Sequence, residues 1–371
     1  LFTKLVAWNT QQTIYNNVAN NYKKHKQLMS YTFKNTEINN EKANDFETKS
    51  LLYLIGKRKD SKKVEYVTFD CFNDINGINK KLDEIWDIQS KNEKKLNPKK
   101  IGKYLFTLFD NYLSPFTFKE FIFFCPILDS NYKKNNTVNI YNLDNIEHKT
   151  FERIKIGITE EVLRVKGSTQ NYTSKIKTFL DKVVIVEDNN TKSEYIESVT
   201  KFKNTNIKTT EFYNDVFNDI RKIQTDKKNS FIENETIQQI KDVLNFQRHL
   251  STKEIETLII SRIIGFEVFD NILYIPFCFN PMVNHLDQDD LKDLLQECNS
   301  NLSRAFFNKN SNRIFWNVCE SIITYLTQNS NNNPGDIYNK IFSEKRIGTS
   351  YLTEITLKFL ISIIIEGKRW L

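Results

Sequence analysis

The sequence has few of the residues that build metal sites from sulfur and nitrogen ligands. Its five cysteines are an odd number without CxxC spacing, and its four histidines occur singly along the chain. Zinc sites and disulfide frameworks need paired or clustered ligands of these types. The sequence therefore argues against a cysteine-based zinc site and a disulfide framework, and it predicts a protein of a reducing compartment.

Long apolar runs are lacking as well. The segment 359–365 is strongly apolar, but it is far shorter than the roughly 20 residues that a membrane-spanning helix requires. We expect a buried helix there and no membrane partner. The residues that follow Leu1 contain no signal-like apolar core, which predicts a cytoplasmic protein.

Glycine and proline are scarce, and charge of either sign has only a small excess. The chain holds 53 Lys and Arg against 46 Asp and Glu, a formal net charge of +7. This balance permits a polyanionic partner without requiring one. The distribution of charge along the chain is therefore more informative than its sum.

With 371 residues the chain is long for one compact domain, and two domains are the default expectation. Continuous apolar runs at 119–125 and 183–186 are typical of strands buried on both faces of a sheet. Helical patterns dominate the last third, apart from a hairpin pattern at 266–279. We predict an α/β domain with a mixed sheet flanked by helices at 1–195, a helical connector at 196–250, and a mostly helical domain with a small β-hairpin at 251–371.

A helix is predicted over 41–57, where apolar residues recur at helical spacing. Glu47 lies one turn before Leu51, on or beside the apolar face. One interpretation is that Glu47 pairs with Lys49 or Lys57 at the edge of this face. The other is that it is a functional carboxylate.

A β-hairpin is predicted next. Residues 64–72 and 85–90 are rich in β-branched and aromatic residues, and the turn-forming sequence NDING lies between them at 73–77. This arrangement brings Asp74 within reach of the second strand. Because side chains alternate along a strand, Asp87, Gln89 and Lys91 project on one face.

Acid, amide and lysine in this pattern suit phosphodiester hydrolysis. Such hydrolysis uses metal ions to neutralise developing charge, and Mg²⁺ prefers carboxylate and carbonyl oxygens. Asp74 and Gln89 would supply those oxygens, and Lys91 could orient the water or stabilise the transition state. Asp70 and Asp87 are competing acids.

A lysine-rich segment follows. Asn97 and Pro98 predict the start of a helix that runs to about residue 112. Lysines crowd the residues before and within its first turns, with Glu93 as the one acid among them: Lys91, Lys94, Lys95, Lys99, Lys100 and Lys103. They could neutralise phosphates or form a solvated helix face, and both interpretations stay open.

Four segments together carry a resemblance to a known family. They are FETK at 46–49, NDING at 73–77, WDIQSK at 86–91 and PKKIGK at 98–103. In this order they resemble the PD-(D/E)xK nuclease superfamily, and most closely the double-stranded-DNA nuclease domains at the N-termini of bacterial anti-phage effectors. These include Cap-type effectors and Lamassu-type nuclease subunits that partner an SMC-like ATPase. The resemblance covers about residues 40–190.

The resemblance implies a restriction-endonuclease-like fold and a Mg²⁺- or Mn²⁺-dependent DNA endonuclease. It implies Asp74 as principal metal ligand, Gln89 as second ligand, Glu47 as helix acid and Lys91 as catalytic lysine. Lys94, Lys95, Lys99, Lys100 and Lys103 would contact DNA. Gln89 departs from the commoner glutamate, so the alternative is a non-catalytic DNA-binding or scaffold subunit. The helical C-terminal half would mediate homo-oligomerisation, dock an SMC-like ATPase, or both.

Overall fold

The computed structural model describes residues 30–33, 41–204, 207–269 and 273–369. The chain forms two compact units, and each contains discontinuous segments. The first unit consists of the described residues of Leu1–Leu54 together with Lys59–Asn190 and Arg221–Ser251. The second consists of Ile55–Arg58 and the described residues of Thr191–Ile220 and Thr252–Leu371.

Nine strands are present in the described residues. They are β1 Tyr31–Thr32, β2 Val64–Phe69, β3 Ile75–Asn79, β4 Ile85–Ser90, β5 Phe118–Pro126, β6 Ile140–Asn142, β7 Val183–Asp188, β8 Thr236–Ile237 and β9 His249–Ser251. Seven of them form one mixed sheet in the order β6-β7-β5-β4-β3-β2-β9, and β1 pairs with β8. All of these strands lie in the first unit.

The helices of both units follow in chain order. They are α1 Glu41–Leu52, α2 Pro98–Tyr112, α3 His148–Lys166, α4 Thr173–Leu180, α5 Lys192–Val199, α6 Thr210–Lys228, α7 Thr252–Ile264, α8 Asn280–Val283, α9 Gln288–Phe307, α10 Asn312–Gln328, α11 Pro334–Ile341 and α12 Glu354–Arg369. Helix α1 continues into a π-helical turn at Tyr53–Lys57. The predicted fold class, a mixed sheet flanked by helices followed by a mostly helical half, is confirmed.

The sheet combines a parallel half with an antiparallel half. Strands β4, β5 and β7 are parallel neighbours, whereas β2, β3 and β4 form an antiparallel meander. Phe121–Cys125 of β5 are buried throughout, because a strand flanked by parallel neighbours is covered on both faces. The predicted strands at 119–125 and 183–186 are therefore confirmed.

Helix α2 begins where the sequence predicts. Asn97 is its N-cap, and the side-chain oxygen accepts a hydrogen bond from the backbone N–H of Lys100 at 2.9 Å. Pro98 occupies the first turn, where its missing N–H costs nothing. Helices α2 and α3 then pack closely in the first unit, with a glycine from each helix at their contact, Gly102 and Gly157.

The predicted two-stranded hairpin is wrong. Strand β3 lies between β2 and β4, so that the strands at 64–72 and 85–90 do not pair directly. The NDING segment belongs mostly to β3, where Ile75 and Ile78 are fully buried. Gly77 faces Leu54, whose Cδ2 would lie 2.4 Å from any Cβ added there. Gly77 therefore packs against a buried side chain within the sheet and does not form a turn.

The C-terminal predictions need two corrections. The described residues of 266–279 form turns and irregular backbone instead of a hairpin, and 270–272 lie outside the described residues. Tertiary packing overrides the local hairpin pattern here, because the Phe269 ring stacks on the Phe306 ring with centroids 4.8 Å apart. The predicted connector at 196–250 is also divided, since 221–251 belong to the first unit and include β8 and β9.

None of the described helices combines the length and the apolar character needed to span a bilayer.

Candidate active site

The site begins with the meeting of Asp74 and Gln89. Asp74 immediately precedes β3, and Gln89 and Ser90 end β4, its antiparallel neighbour. The Oδ2 atom of Asp74 accepts hydrogen bonds from Gln89 Nε2 at 2.7 Å, Ser90 N at 2.7 Å and Ser90 Oγ at 2.9 Å. The meander thus brings two of the predicted site residues into direct contact.

The amide of Gln89 is held in one orientation. Its Nε2 donates to Asp74, while its Oε1 accepts a 2.6 Å hydrogen bond from Thr107 Oγ1 of α2. A glutamate at this position would present only oxygens, so it could share a cation with Asp74. The Gln89 amide instead presents an N–H donor to the Asp74 carboxylate. Gln89 therefore binds the carboxylate directly.

Glu47 and Asp70 lie close enough to Asp74 for its charge to raise their pKa values, and these three carboxylates are called the acidic cluster below. Glu47 is on α1, and Asp70 directly follows β2. The Nζ atom of Lys228 pairs with the Glu47 carboxylate and lies 3.1 Å from Asp70 Oδ1. Arg248 Nη1 lies 3.7 Å from Asp70 Oδ2. Two basic side chains of the first unit therefore compensate the acidic cluster.

Helix α6 presents one polar face to α1. Gln224 accepts a 2.7 Å hydrogen bond from Thr48 Oγ1, and its Nε2 donates to Glu47 Oε2 at 3.3 Å. Lys228 is four positions further along, one turn away on the same face. Glu47 is thus held by two side chains of α6, whereas Lys49 pairs with Asp188 at 2.7 Å. Of the two lysines that the first interpretation named for Glu47, Lys49 is thus excluded as its partner, and Lys228 takes that place.

Burial governs the electrostatics of the acidic cluster. Loss of solvation raises the pKa of Glu47, and the nearby charge of Lys228 opposes this rise, while Asp74 and Asp70 add to it. Burial also raises the pKa of Asp70, again opposed by Lys228. Asp70 has a backbone φ of 49°, a left-handed conformation that is uncommon for residues other than glycine.

Asp87 is enclosed by asparagine side chains in the core of the first unit. It is fully buried, and its carboxylate accepts hydrogen bonds from the side-chain amides of Asn73 at 3.0 Å, Asn76 at 2.7 Å and Asn111 at 2.8 Å. Burial raises its pKa to about 7, although these three donors oppose the rise. With its oxygens engaged by amides, this competing acid serves the core of the first unit.

Lys91 lies just beyond the end of β4 and is partly exposed. Its backbone N–H donates to the carbonyl oxygen of Phe124 at 3.0 Å, which continues the pairing of β4 with β5. Its Nζ lies 5.5 Å from the centroid of the Tyr104 ring. The side chain therefore lies over an aromatic ring of α2.

The predicted DNA-binding lysines fall into two groups. Lys99 and Lys100 form ion pairs with Glu160 at 2.7 Å and Glu93 at 2.6 Å, and Lys103 is 4.0 Å from Glu160. Lys94 and Lys95 are exposed in the loop before α2. Lys99, Lys100 and Lys103 thus have acidic partners at the surface of the first unit.

A divalent cation is the ligand that the resemblance implies for this site. The donor chemistry of three carboxylates suits Mg²⁺. The arrangement does not, because Lys228 engages Glu47 and Asp70, and Asp74 Oδ2 accepts three hydrogen bonds. Within the described part of the chain, no three His, Cys, Asp or Glu side chains converge as metal ligands. The site as arranged does not fit the metal that the resemblance implies.

Two residues of this site escaped prediction. Lys228 and Arg248 lie in the segment that was predicted to be a connector. The sequence gives only a weak indication of these two residues. Gln224 and Lys228 follow the apolar residues Phe217 and Ile220 at helical spacing. A polar pair that extends the buried stripe of a helix indicates a buried polar partner.

The chain was compared with protein-family models, curated proteins and solved structures, and none of them matches it.

Proposed function

We propose that the first unit is a metal-dependent DNA endonuclease domain. The observation that carries the proposal is the 2.7 Å contact between Asp74 and Gln89 across β3 and β4. Lys91 follows Gln89 by two positions, and Glu47 of α1 lies in the same acidic cluster. This order of helix, acid, amide, lysine and basic loop suits the cleavage of a polyanion.

Each group has a distinct task in this proposal. Asp74, Glu47 and Gln89 would have to release their present partners before they could hold Mg²⁺ or Mn²⁺, and the metal would then supply charge neutralisation and an activated water. Lys91 would donate hydrogen bonds to a phosphoryl oxygen as negative charge develops there. Lys94 and Lys95 would bind the phosphate backbone.

The test is cleavage of duplex DNA by the purified chain with Mg²⁺ or Mn²⁺. Asp74→Ala and Lys91→Ala should each lower the cleavage rate by about 100-fold or more, the usual scale for removing an acid–base or charge-stabilising group. Lys81→Ala is the matched control, because Lys81 is exposed between β3 and β4. Cleavage that survives both active-site substitutions would exclude this site.

A second candidate is a non-catalytic DNA-binding or scaffold subunit. The Gln89 amide, in place of a carboxylate, and the ion pairs of Lys228 favour it. It predicts that the chain retains DNA with a steep dependence on salt and shows no metal-dependent cleavage, alone or with partners. A filter-binding titration over several salt concentrations, run beside the cleavage assay, separates the two candidates.

The cellular setting is also a proposal. The resemblance supports an effector of a bacterial anti-phage defence complex that acts in the cytoplasm. A nuclease without control would damage its host, so the second unit would hold the chain in a homo-oligomer or dock an SMC-like ATPase. Equal cleavage by the full chain alone and by the assembled complex would count against control by assembly.

A further inference from the structure

We infer that the segment before β2 binds the phosphate backbone of duplex DNA through three lysines, Lys59, Lys62 and Lys63. Residues 59–63 are called the basic segment below. It contains none of the lysines that the resemblance implies for DNA binding. The inference rests on the DNA binding that both candidate functions share, and it specifies where on the first unit that binding takes place.

The first observation is the density of positive charge along the chain. The sequence KRKDSKK at 57–63 contains five basic residues and one acid, Asp60. The predicted DNA-binding region has six lysines, but they are spread over the thirteen positions 91–103 and include Glu93 among them. Closely spaced positive charges suit duplex DNA, which carries one phosphate charge per roughly 1.7 Å of helix axis.

The second observation is that these lysines are available. Lys59, Lys62 and Lys63 are exposed, and within the described residues none of them forms an ion pair. By contrast, Lys100 of the predicted region pairs with Glu93 at 2.6 Å. A phosphate can therefore pair with the basic segment without displacing an acidic partner.

The third observation is the ordered backbone that carries the charges. Ser61–Lys63 form a 3₁₀ turn with no buried residue, and the backbone N–H of Lys63 donates to the carbonyl oxygen of Asp60 at 2.9 Å. Val64, which follows, begins β2 and is buried. Because the backbone is already in place, binding costs only the ordering of the lysine side chains.

The fourth observation is the location of the basic segment. It directly precedes β2, whereas Asp70 of the acidic cluster directly follows this strand. Strand β2 has six residues, which makes it about 20 Å long. Contacts so far from the acidic cluster would bind substrate and transition state equally well. We therefore expect them to lower the KM for DNA and to leave kcat unchanged.

The composition of the segment favours DNA over a membrane surface. Basic segments that lie on membranes combine their charges with apolar side chains that enter the acyl boundary. The run at 57–63 contains no apolar residue, and the apolar residues that flank it, Ile55 and Val64, are buried. DNA requires no such anchor, since the release of counterions from its phosphates drives binding.

The salt dependence of DNA binding tests the inference. Fluorescence anisotropy of a labelled duplex, with a chelator present to prevent cleavage, gives the Kd at several salt concentrations. The test variant is the full-length chain with three combined substitutions, Lys59→Gln, Lys62→Gln and Lys63→Gln. We expect it to bind about tenfold or more weakly and to lower the slope of log K against log salt by about 2–3, because each lost phosphate contact removes about 0.9. Two duplexes of unrelated sequence should lose affinity by the same factor.

The matched control removes three other exposed lysines of the first unit. Like the lysines of the basic segment, they form no ion pair within the described residues, and their combined substitutions are Lys175→Gln, Lys177→Gln and Lys182→Gln. This control has the same net charge as the test variant and should keep the wild-type slope. An equal loss of slope in both variants would overturn the inference, because net charge alone would then account for the effect.

A charge-retaining variant separates the loss of charge from a change of structure. It combines Lys59→Arg, Lys62→Arg and Lys63→Arg, and it should keep the wild-type slope. An unchanged slope in the folded glutamine variant would overturn the inference. So would binding of the wild-type chain to vesicles of phosphatidylserine and phosphatidylcholine that the glutamine variant loses while its slope on DNA is unchanged, since the segment would then bind lipid headgroups.

The outcomes separate this inference from the proposed function. A lower slope in the glutamine variant, without metal-dependent cleavage by the wild-type chain, supports the basic segment and rejects the nuclease. Cleavage by the wild-type chain with an unchanged slope in the glutamine variant supports the nuclease and rejects the basic segment. A wild-type chain that does not bind duplex DNA rejects both.

Discussion

At the scale of single residues, the first unit buries acids in two different ways. Glu47 and Asp70 are matched by the cations Lys228 and Arg248, whereas Asp87 is matched by the amides of three asparagines. Both sets of partners oppose the rise in pKa that burial causes, the first by opposite charge and the second by hydrogen bonds. The three asparagines form an amide cage around Asp87, whereas the ion pairs connect α1, α6 and the end of β2.

The amide cage gives a direct prediction. Asp87→Asn should lower the free energy of unfolding by about 2–3 kcal/mol near neutral pH, because an amide donor would then face amide donors and leave buried groups unsatisfied. Urea unfolding followed by circular dichroism measures this change. Asp83→Asn is the matched control, since Asp83 also accepts from an asparagine, at 2.6 Å, but is exposed, and it should change stability by less than about 0.5 kcal/mol.

The same carboxylate predicts a pH dependence. The folded pKa of Asp87 is about 7, above its usual value of 3.8, so the folded chain holds a proton that the unfolded chain has lost. The stabilisation that comes from this bound proton is fully present below pH 3.8 and is lost as the pH rises through about 7. The wild-type free energy of unfolding should therefore fall over this range, and Asp87→Asn should remove that part of the slope.

At the scale of elements, α2 and α3 pack backbone against backbone. A Cβ added at Gly157 would lie 2.0 Å from the carbonyl oxygen of Lys99, and one added at Gly102 would lie 2.0 Å from that of Ile154. Neither neighbour is the movable end of a side chain. This contact fixes α2, and with it Thr107, which orients Gln89.

Gly157→Ala tests that contact. Helix propensity alone favours the alanine by about 1 kcal/mol, but overpacking against a backbone carbonyl costs about 3 kcal/mol or more. We therefore expect a net loss of stability, measured by thermal and urea unfolding. Gly335→Ala in α11 is the control, because its nearest neighbour would be a side-chain oxygen at 3.2 Å. Equal effects at both positions would contradict the packing argument.

Elements with strong local signals could be predicted from the sequence. The N-cap and proline at 97–98 located α2, and continuous apolar runs located β5 and β7. Strand β3 was missed because Asn76 and Gly77 read locally as a turn, whereas their places in the sheet depend on Asp87 and Leu54, which lie elsewhere in the sequence. Likewise Asp74 and Gln89 could be paired from spacing, but Lys228 could not.

At the scale of the whole molecule, the first unit is discontinuous in sequence. Its sheet is completed by β9, which pairs antiparallel with β2, and its acidic cluster is completed by Lys228 and Arg248. A unit defined by the predicted boundary at 195 would lack all three. The predicted core at 40–190 therefore contains the acids without the bases that compensate them.

Truncation tests this organisation. A chain of residues 1–195 should be less stable than one of residues 1–251 by about 3–5 kcal/mol, the usual cost of leaving a buried charge without its partner. Soluble yield and urea unfolding of the two chains measure the difference. Equal stability of the two chains would show that 221–251 are dispensable to the first unit.

The 181 positions that separate Glu47 from Lys228 also set an order of events during synthesis. Pairings between distant segments form late, because the chain between them must be made first. A ribosome-bound chain that ends before residue 228 already contains Glu47 and Asp70 but still lacks Lys228. Glu47 and Asp70 therefore cannot be buried beside their ammonium partner until Lys228 has emerged, which places the closing of this part of the first unit late in synthesis.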